Sequence, residues 1–349
     1  MAITRRIWSR TEDGRPIYKY TMTNKSGASV VLTNIGAGIV SINVPDKDGK
    51  LGDVVLGYGK AESYFGDGPC AGKCPGRYAN RIAKGRFTLD GKTYELPINN
   101  GPNHLHGGPE GCQNKVWESR KKNGAVEFMY FFEDGEMGYP GNLKVVAHYE
   151  WNDENQLSLT FTARSDAKTI LNLTNHVYFN LNCSGSVLRH RLRLNASEYL
   201  PTDETLIPLG ESESVAGTPM DFLNEKSIGR DIKKDFPALN YGKGYDACYI
   251  IDGYTEGQLQ EAAELYSRKS GRTLKIATTQ PGVQIYTGNW LEGCPTGKHG
   301  KKYHDYDAVA IECQHFPDSP NNPSYPTTVL EPGQVYKQAI IFSFGLRQD

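Results

Sequence analysis

The stretch RFTLDGKTYEL, residues 86–96, decides the fold class of this chain. Apolar and polar side chains alternate before and after Asp90-Gly91, a dipeptide that type I′ turns favour. The stretch therefore predicts a β-hairpin in which Arg86–Leu89 and Thr93–Leu96 pair as antiparallel strands across a tight turn.

The rest of the chain continues this pattern. A second hairpin is predicted from Ile39–Val44 and Asp53–Leu56, with a turn at 46–49. Further strands are predicted at Ala125–Glu133, Leu143–Trp151, Gln156–Ala163, Thr169–Leu181, Leu188–Leu194, Asp246–Asp252, Leu274–Thr279, Gly282–Tyr286, Ala308–His315 and Gln338–Phe344. No alternation of strands with helices appears, so the sheets are expected to be antiparallel.

One segment, Glu256–Lys269, has the composition of a helix. The alternation in 273–278, after the turn residues Ser270-Gly271, favours a second reading in which the end of this segment is a strand of another hairpin. We prefer the strand.

Composition agrees with many short strands. The 349 residues include 38 Gly, 19 Pro, 21 Tyr and 12 Phe, a mixture typical of turns and aromatic-rich strands. No internal repeat or linker divides the chain. Residues 1–349 are therefore predicted to form a single all-β domain, a large antiparallel β-sandwich with a ligand cleft on the polar face of a curved sheet.

Charge and hydropathy exclude several classes of partner. With 39 basic and 40 acidic side chains, the net charge of −1 attracts neither nucleic acid nor an anionic membrane. No stretch approaches the roughly 20 apolar residues that cross a bilayer. Seven scattered cysteines predict free thiols in a reducing compartment. We expect a cytoplasmic protein, although a removed secretion signal would leave no trace.

Strand alternation places two titratable side chains on polar faces. In 171–181, His176 lies opposite a face of mainly apolar side chains. In 308–316, Glu312 lies opposite Val309 and Ile311, and its small neighbours leave room above it. Each residue alone has an ordinary reading, since a strand Glu or His more often faces solvent or a paired charge.

Two more polar strand residues are candidates for ligand contact. Gln284 lies opposite Val283 and Ile285, and Asp246 begins a strand. The ordinary readings are a hydrogen-bonding strand residue for Gln284 and a turn residue for Asp246.

The stretch Gly101–Gly108 contains His104 and His106, which would point the same way on an extended segment. A metal site is one reading, but no third ligand has a recognisable spacing. We favour a polar ligand contact from His106 and predict no metal.

Arg77 and Arg81 lie in the loop that leads into the 86–96 hairpin. The ordinary reading of this pair is a solvated basic turn.

Six motifs follow one another in the order typical of one family. They are GRYANRI (76–82), NHLHGG (103–108), LTNHVYFNL (173–181), YDACY (245–249), PGVQIYTGN (281–289) and AIECQHFPD (310–318), the last followed by NNPSYPTTVLEPG (321–333). With these motifs the chain resembles the aldose 1-epimerases, or galactose mutarotases, over nearly its whole length. The resemblance implies a galactose mutarotase-like sandwich that interconverts the α and β anomers of free aldoses such as galactose and glucose, with no metal and no cofactor.

The resemblance also implies roles for residues that match the family's motifs. Glu312 falls on the general base and His176 on the general acid. The sugar-binding positions fall on Asn80, Arg81, His106, Asp246 and Gln284. The partner implied is a monosaccharide, not nucleic acid or a membrane, and the chain is expected to be a monomer or weak dimer.

Catalysis by this pair requires ionised Glu312 and protonated His176, and we expect their mutual attraction to favour both charged forms. Three alternatives remain open. A hexose-6-phosphate 1-epimerase would add basic residues at the cleft mouth. A non-catalytic sugar-binding relative would keep the fold alone. A glycosidase could use Asp246 and Glu312 as paired carboxylates.

Overall fold

A computed structural model of the protein describes residues 2–347, and strands dominate it. The first half of the chain contains β1 Ala2–Arg10, β2 Pro16–Thr23, β3 Ser29–Thr33, β4 Gly38–Pro45, β5 Leu51–Asp53, β6 Arg81–Ile82, β7 Arg86–Leu89, β8 Lys92–Glu95, β9 His104–Leu105, β10 Glu118–Lys122, β11 Ala125–Phe132, β12 Leu143–Trp151 and β13 Gln156–Ser165. The second half contains β14 Thr169–Ile170, β15 Tyr178–Phe179, β16 Arg191–Leu194, β17 Glu198–Tyr199, β18 Glu213–Ser214, β19 Lys226–Ser227, β20 Asp246–Ile250, β21 Gln260–Tyr266, β22 Arg272–Thr278, β23 Gly282–Tyr286, β24 Val309–Gln314, β25 Val329–Leu330 and β26 Tyr336–Leu346.

Helical structure is confined to short pieces. The α-helix α1, Pro237–Gly242, was not predicted from the sequence. The 3₁₀ turns are Ala61–Tyr64, Ala83–Gly85, Cys112–Asn114, Glu136–Gly138, Val187–Arg189, Ile228–Arg230, Lys298–Gly300 and Ser319–Asn321. Within the described part of the chain, no helix is long and apolar enough to span a membrane.

Three large sheets form the sandwich, and their strands pair antiparallel as predicted. One sheet has the order β1-β2-β3-β4-β5, and the largest has the order β10-β11-β12-β13-β26-β22-β21-β16-β19. The third has the order β15-β24-β23-β20-β17-β18. Inward side chains of all three sheets, such as Ile42, Phe161 and Ile311, share one buried core. The opposite face of the third sheet is left free to form a site.

The hairpin at 86–96 forms as predicted. Leu89 pairs with Lys92, so Asp90 and Gly91 alone make the turn. Both have positive φ, 49° and 77°, as a type I′ turn requires. The 39–56 hairpin forms with a different second strand: β5 covers Leu51–Asp53, so the predicted strand Asp53–Leu56 is wrong except at Asp53.

The ambiguous segment 256–269 contains a strand. β21 pairs with β22 through contacts such as Leu265 opposite Leu274, which confirms the predicted hairpin. Packing of alternate side chains into the core prevails over the helical propensity of the local sequence.

The predicted strand Thr169–Leu181 is wrong over most of its length. Only its two ends pair as strands, β14 and β15. Between them the backbone hydrogen-bonds to loop segments instead of a neighbouring strand, with Asn172 N–H donating to Arg77 O and His176 N–H to Lys73 O. The segment stays extended, but a loop replaces a sheet neighbour along its edge.

Candidate active site

The third sheet delivers Glu312 to a cleft. Within β24, Val309 and Ile311 face the core, so Glu312 faces the opposite side. The cleft on that side has a volume of about 1090 Å³. All seven residues predicted for the site line it: Asn80, Arg81, His106, His176, Asp246, Gln284 and Glu312.

His176 and Glu312 meet on the floor of this cleft. Tyr178 pairs with Ala310 between β15 and β24, and continuing that register brings residue 176 beside residue 312. His176 Nε2 lies 3.4 Å from Glu312 Oε1, and both side chains are buried. Among the described residues, neither His176 Nδ1 nor Glu312 Oε2 has a hydrogen-bond partner. Two buried polar atoms of this pair are thus available to a ligand.

Burial favours the neutral forms of both groups. Desolvation lowers the pKa of His176 to about 4, and the positive charge of Lys73 adds to this effect. Desolvation also raises the pKa of Glu312 well above its usual range, Asp246 raises it further, and Arg81 opposes both. The expectation that mutual attraction would favour the charged forms is therefore wrong for the site without sugar, since desolvation is the larger effect.

His106 is held as a hydrogen-bond donor toward the cleft. Its Nδ1 accepts the backbone N–H of Asn80 at 3.0 Å. Burial lowers the pKa of His106 well below its ordinary value, so the ring is neutral and its single proton is on Nε2. Its ring meets that of His176 edge to face, with centroids 5.2 Å apart.

A metal ion fits this arrangement poorly. One ligand atom each from His106, His176 and Glu312 lies within 4.8 Å of the others. Ligation through His106 Nε2 would require the proton to move to Nδ1, where it would oppose the Asn80 N–H. The cluster is better suited to donating and accepting protons than to holding a cation.

The two histidines of the NHLHGG motif do not point the same way. His104 Nδ1 lies 2.7 Å from Pro97 O, and its Nε2 lies 2.6 Å from the Tyr139 hydroxyl. His106 has a φ of 53°, so the segment is not extended there and the two side chains diverge. His104 is therefore structural.

The remaining sugar-binding candidates form two hydrogen-bonded pairs. Arg81 Nε donates to Asn100 Oδ1 at 2.9 Å, which fixes the guanidinium from one side. Gln284 Nε2 donates to Asp246 Oδ1 at 2.6 Å, while Gln284 Oε1 has no partner among the described residues. Desolvation raises the pKa of Asp246, and Arg81 and Gln284 oppose that shift.

Arg77, unlike Arg81, is not part of the cleft. Its side chain is buried, and Nη1 donates to Pro140 O at 2.6 Å and to the Thr169 hydroxyl at 3.1 Å. Its guanidinium also lies over the Phe132 ring. The reading of a solvated basic turn is wrong for Arg77, because the chain folds over it.

Several lining residues were not identified from the sequence. The rings of Tyr178 and Tyr286 lie 4.9 Å and 6.3 Å from that of His176. Both tyrosines share a strand face with a predicted residue, two positions from His176 and Gln284, so alternation was a usable signal. Asn100 and the loop 65–69 carried no such signal.

Comparison with known proteins places the chain in a family. The sequence model of aldose 1-epimerase matches residues 18–343. Galactose mutarotase of Bos taurus is 38% identical over 348 residues, 99% of each chain. Aldose 1-epimerase of Escherichia coli is 38% identical over 336 residues, 95% of this chain and 96% of that one.

Solved structures agree with the sequence comparison. An aldose epimerase homologue from C. elegans has a TM-score of 0.87 at 33% identity, covering 94% of this chain and 98% of the other. Galactose 1-epimerase from Lactobacillus acidophilus also has a TM-score of 0.87, at 29% identity and 99% of both chains. These full-length similarities show that the chain belongs to the aldose 1-epimerase family.

Proposed function

We propose that this protein is a cofactor-independent isomerase that interconverts the α and β anomers of free aldohexoses such as galactose and glucose. The observation that carries the proposal is the buried contact of 3.4 Å between His176 Nε2 and Glu312 Oε1 on the floor of a cleft. An acid and a base side by side at a ligand-sized opening suit the opening of a cyclic hemiacetal.

In the proposed reaction Glu312 takes the proton of the C1 hydroxyl while His176 donates a proton to the ring oxygen. The bond between C1 and the ring oxygen breaks, and C1 becomes the carbonyl carbon of an open-chain aldehyde. Rotation about the C1–C2 bond presents the other face of that carbonyl. Closure returns the proton from Glu312 to the C1 oxygen and the ring proton to His176, which leaves the protein unchanged.

The pair carries one proton between them in both the starting and the open-chain states. In the site without sugar, burial places that proton on Glu312 and leaves His176 neutral. A shift of the proton across the 3.4 Å contact creates the charged pair with no change in net charge. Adding a second proton or removing the only one stops the reaction, so activity is expected to fall at acid and alkaline pH.

The other predicted residues hold the sugar. His106 presents Nε2–H as a donor to a sugar oxygen near the reacting bond. Arg81, Asp246 and Gln284 bind hydroxyl groups, and Asn80 supports both His106 and Arg81 through its backbone N–H and its side-chain oxygen. Positioning of this kind lowers the barrier by removing rotational freedom before the chemical step.

The cleft favours neutral sugars over sugar phosphates. Arg81 is the one Lys or Arg among the residues that line it, and its Nε is already bonded to Asn100. Three exposed carboxylates also line it, those of Glu62, Glu204 and Glu292. A dianionic phosphate would meet like charges there, which makes the hexose-6-phosphate reading less suitable.

We further propose that residues 1–349 form one domain, supported by a single buried core that contains residues near both ends of the chain, such as Met22 and Phe344. Seven free thiols suit a reducing, cytoplasmic location. A monomer or weak dimer remains our expectation.

Polarimetry tests the activity directly. Freshly dissolved α-D-galactose and α-D-glucose should reach their equilibrium rotation faster with catalytic amounts of the protein, and the acceleration should be lost in Glu312→Gln. No acceleration with either sugar by the wild-type protein would overturn the proposal. Parallel runs with hexose 6-phosphates then identify whether a phosphorylated substrate is used instead.

A further inference from the structure

An ion pair lies wholly inside the protein behind one wall of the cleft. Lys73 Nζ lies 2.6 Å from Asp67 Oδ1, and both side chains have 0% exposure. Lys73 Nζ also donates to the backbone oxygen of Tyr64 and, at 3.0 Å, to Asn114 Oδ1. The ammonium group is therefore enclosed by three oxygens from the surrounding chain.

The second carboxylate oxygen of Asp67 continues this network. Oδ2 accepts the Tyr58 hydroxyl at 2.9 Å and the backbone N–H of Ala71 at 2.8 Å. Lys73 Nζ thus joins Tyr64, at the start of the segment 64–73, to Asp67 in its middle, and Asp67 Oδ2 joins Ala71 near its end. This segment, which we call the clamp loop, is closed on itself by the ion pair.

The clamp loop hydrogen-bonds to both the N–H and the C=O of His176. Gly72 N–H donates to His176 O at 2.9 Å, and His176 N–H donates to Lys73 O at 2.8 Å. Asn175 Nδ2 also donates to Gly72 O at 2.8 Å, and the Tyr178 hydroxyl donates to Pro69 O at 2.9 Å. These bonds replace the strand pairing that residues 171–177 lack.

Stability alone is a weak reason to bury such a pair. The desolvation of two charges offsets much of their attraction. Apolar residues of similar volume therefore often stabilise a fold at least as much as a buried ion pair does. A pair whose geometry is fixed by several hydrogen bonds, however, holds the backbone more narrowly than an apolar contact does. The acid of the reaction needs that narrow placement, because its distance from the ring oxygen enters the rate directly.

We propose that the Lys73–Asp67 ion pair is a positioning device that fixes His176 against Glu312 through the clamp loop. This inference rests on the proposed role of His176. Neither side chain touches the sugar, since both have 0% exposure, and Lys73 acts through the backbone bonds at Gly72 and His176.

The chain offers a matched control. Lys226 Nζ lies 2.7 Å from Asp231 Oδ2, both side chains are 8% exposed, and neither residue lines the cleft. Lys226→Met therefore removes a buried ammonium from an ion pair that has no contact with the site, while Asp231 keeps a second partner, Lys234 Nζ, at 2.9 Å.

The first experiment compares Lys73→Met with Lys226→Met by polarimetry at a temperature where both are folded. Lys73→Met should lower kcat for α-D-galactose roughly 10²-fold, since a displacement of about 1 Å can cost that much. Its KM should change by less than about threefold, because the sugar-binding side chains remain. Lys226→Met should keep kcat within about twofold of wild type even if its Tm falls as much as that of Lys73→Met. Equal kcat values in the two variants would overturn the inference.

A second variant covers the case in which Lys73→Met leaves Asp67 unpaired and does not fold. Lys73→Met/Asp67→Asn removes both charges, while the amide oxygen introduced at position 67 can still accept the bonds from Tyr58 and Ala71. It should fold and still show the low kcat. Wild-type kcat in this double variant would mean that the ion pair does not position His176.

The pH profile, and amide exchange compared with Lys226→Met, distinguish a local loss of positioning from a general loss of stability. Loss of the Lys73 charge should shift the pH profile of kcat to higher pH. Burial lowers the pKa of His176, and the positive charge of Lys73 lowers it further. The other titratable groups facing His176 are unchanged in this variant: Glu312, His106, Tyr178 and Tyr286. Hydrogen exchange at the Gly72 and His176 amides should speed up more in Lys73→Met than in Lys226→Met, because only the first variant loses the ion pair that closes the clamp loop.

These readouts separate two kinds of failure. If wild-type protein accelerates no mutarotation, the proposed function fails, while hydrogen exchange still tests the clamp. If wild-type protein is active and exchange at Gly72 and His176 is the same in Lys73→Met as in wild type, the positioning role fails alone.

Discussion

Two buried polar regions of this protein differ in one respect, the supply of hydrogen-bond partners. The guanidinium of Arg272 is buried and donates to three backbone oxygens at 2.9 to 3.2 Å, those of Val44, Leu181 and Lys50. Asp46 adds a carboxylate oxygen 3.9 Å away. This region joins β22 to the ends of β4 and β15 and leaves its charge well compensated.

The cleft floor is buried to a similar degree but is incompletely partnered. Glu312 Oε2, His176 Nδ1 and Gln284 Oε1 have no hydrogen-bond partner within residues 2–347. The pKa values of Glu312 and His176 move toward the neutral forms, as expected for groups that have lost water without gaining partners. A buried group with all its partners stabilises the fold, whereas one without them is available to a ligand at a cost in stability.

The largest effect expected from this difference is on catalysis. Glu312→Gln and His176→Asn should each lower kcat by about 10²- to 10⁴-fold, the usual contribution of general acid–base groups. Polarimetry measures the rate, and far-UV circular dichroism checks that each variant is folded. Near-normal turnover in either folded variant would remove that residue from the mechanism.

The opposite pattern is expected for the partnered region. Arg272→Met should lower the free energy of unfolding by about 3–5 kcal/mol, because it leaves buried carbonyl oxygens without donors. Turnover per folded molecule should stay near wild type, since Arg272 does not line the cleft. Urea denaturation measures the free energy of unfolding, and polarimetry in buffer without urea measures the turnover. A loss of less than about 1 kcal/mol would contradict the account of this region.

A smaller effect is expected for the residues that we propose bind the sugar. Arg81→Ala should raise KM roughly tenfold to a hundredfold, since hydrogen bonds from a charged group contribute about 1.5–3 kcal/mol. Its effect on kcat should be smaller than its effect on KM. Asp246→Asn should likewise raise KM more than it lowers kcat. Initial rates over a range of galactose concentrations separate the two constants. A fall in kcat with KM unchanged would instead place Arg81 in the chemical step.

The smallest expected effect is on how the stability of the folded protein changes with pH. Because the pKa of Glu312 is raised above 4.5, the folded protein holds this proton more tightly than the unfolded chain. The stability it contributes is complete below the unfolded pKa and is lost as the pH rises through the folded one. Glu312→Gln, which stays neutral, should therefore gain in Tm relative to wild type as the pH rises from about 5 to about 8.

Thermal melts of both proteins over that pH range test this directly. The same substitution at an exposed carboxylate, Glu211→Gln, serves as the control and should show no such divergence. If the Tm of Glu312→Gln stays level with that of wild type, or falls relative to it, as the pH rises, the direction assigned to the pKa of Glu312 is contradicted.

Local sequence predicted much of the fold and the members of the site. The hairpin at 86–96 and the strands β12 and β23 follow from alternation and turn residues, which act over a few neighbours. The same alternation placed Glu312 and His176 on polar faces. The family motifs then added Asn80 and Arg81, which no strand pattern singles out.

Other features depend on contacts between distant parts of the chain. The segment 171–177 reads as a strand, yet a loop takes the place of a neighbouring strand. Arg77 reads as a surface residue but is buried, and His104 turns into the core while His106 faces the cleft. None of these outcomes follows from the residues next to them.

Alternation and turn chemistry determine which side chains share a face, because these depend on backbone geometry over a few residues. The 3.4 Å contact of His176 with Glu312, the loss of water that moves their pKa values, and the ion pair of Lys73 with Asp67 required the folded chain. Distance, desolvation and partner supply are properties of the assembled core, where segments far apart in sequence exclude water together.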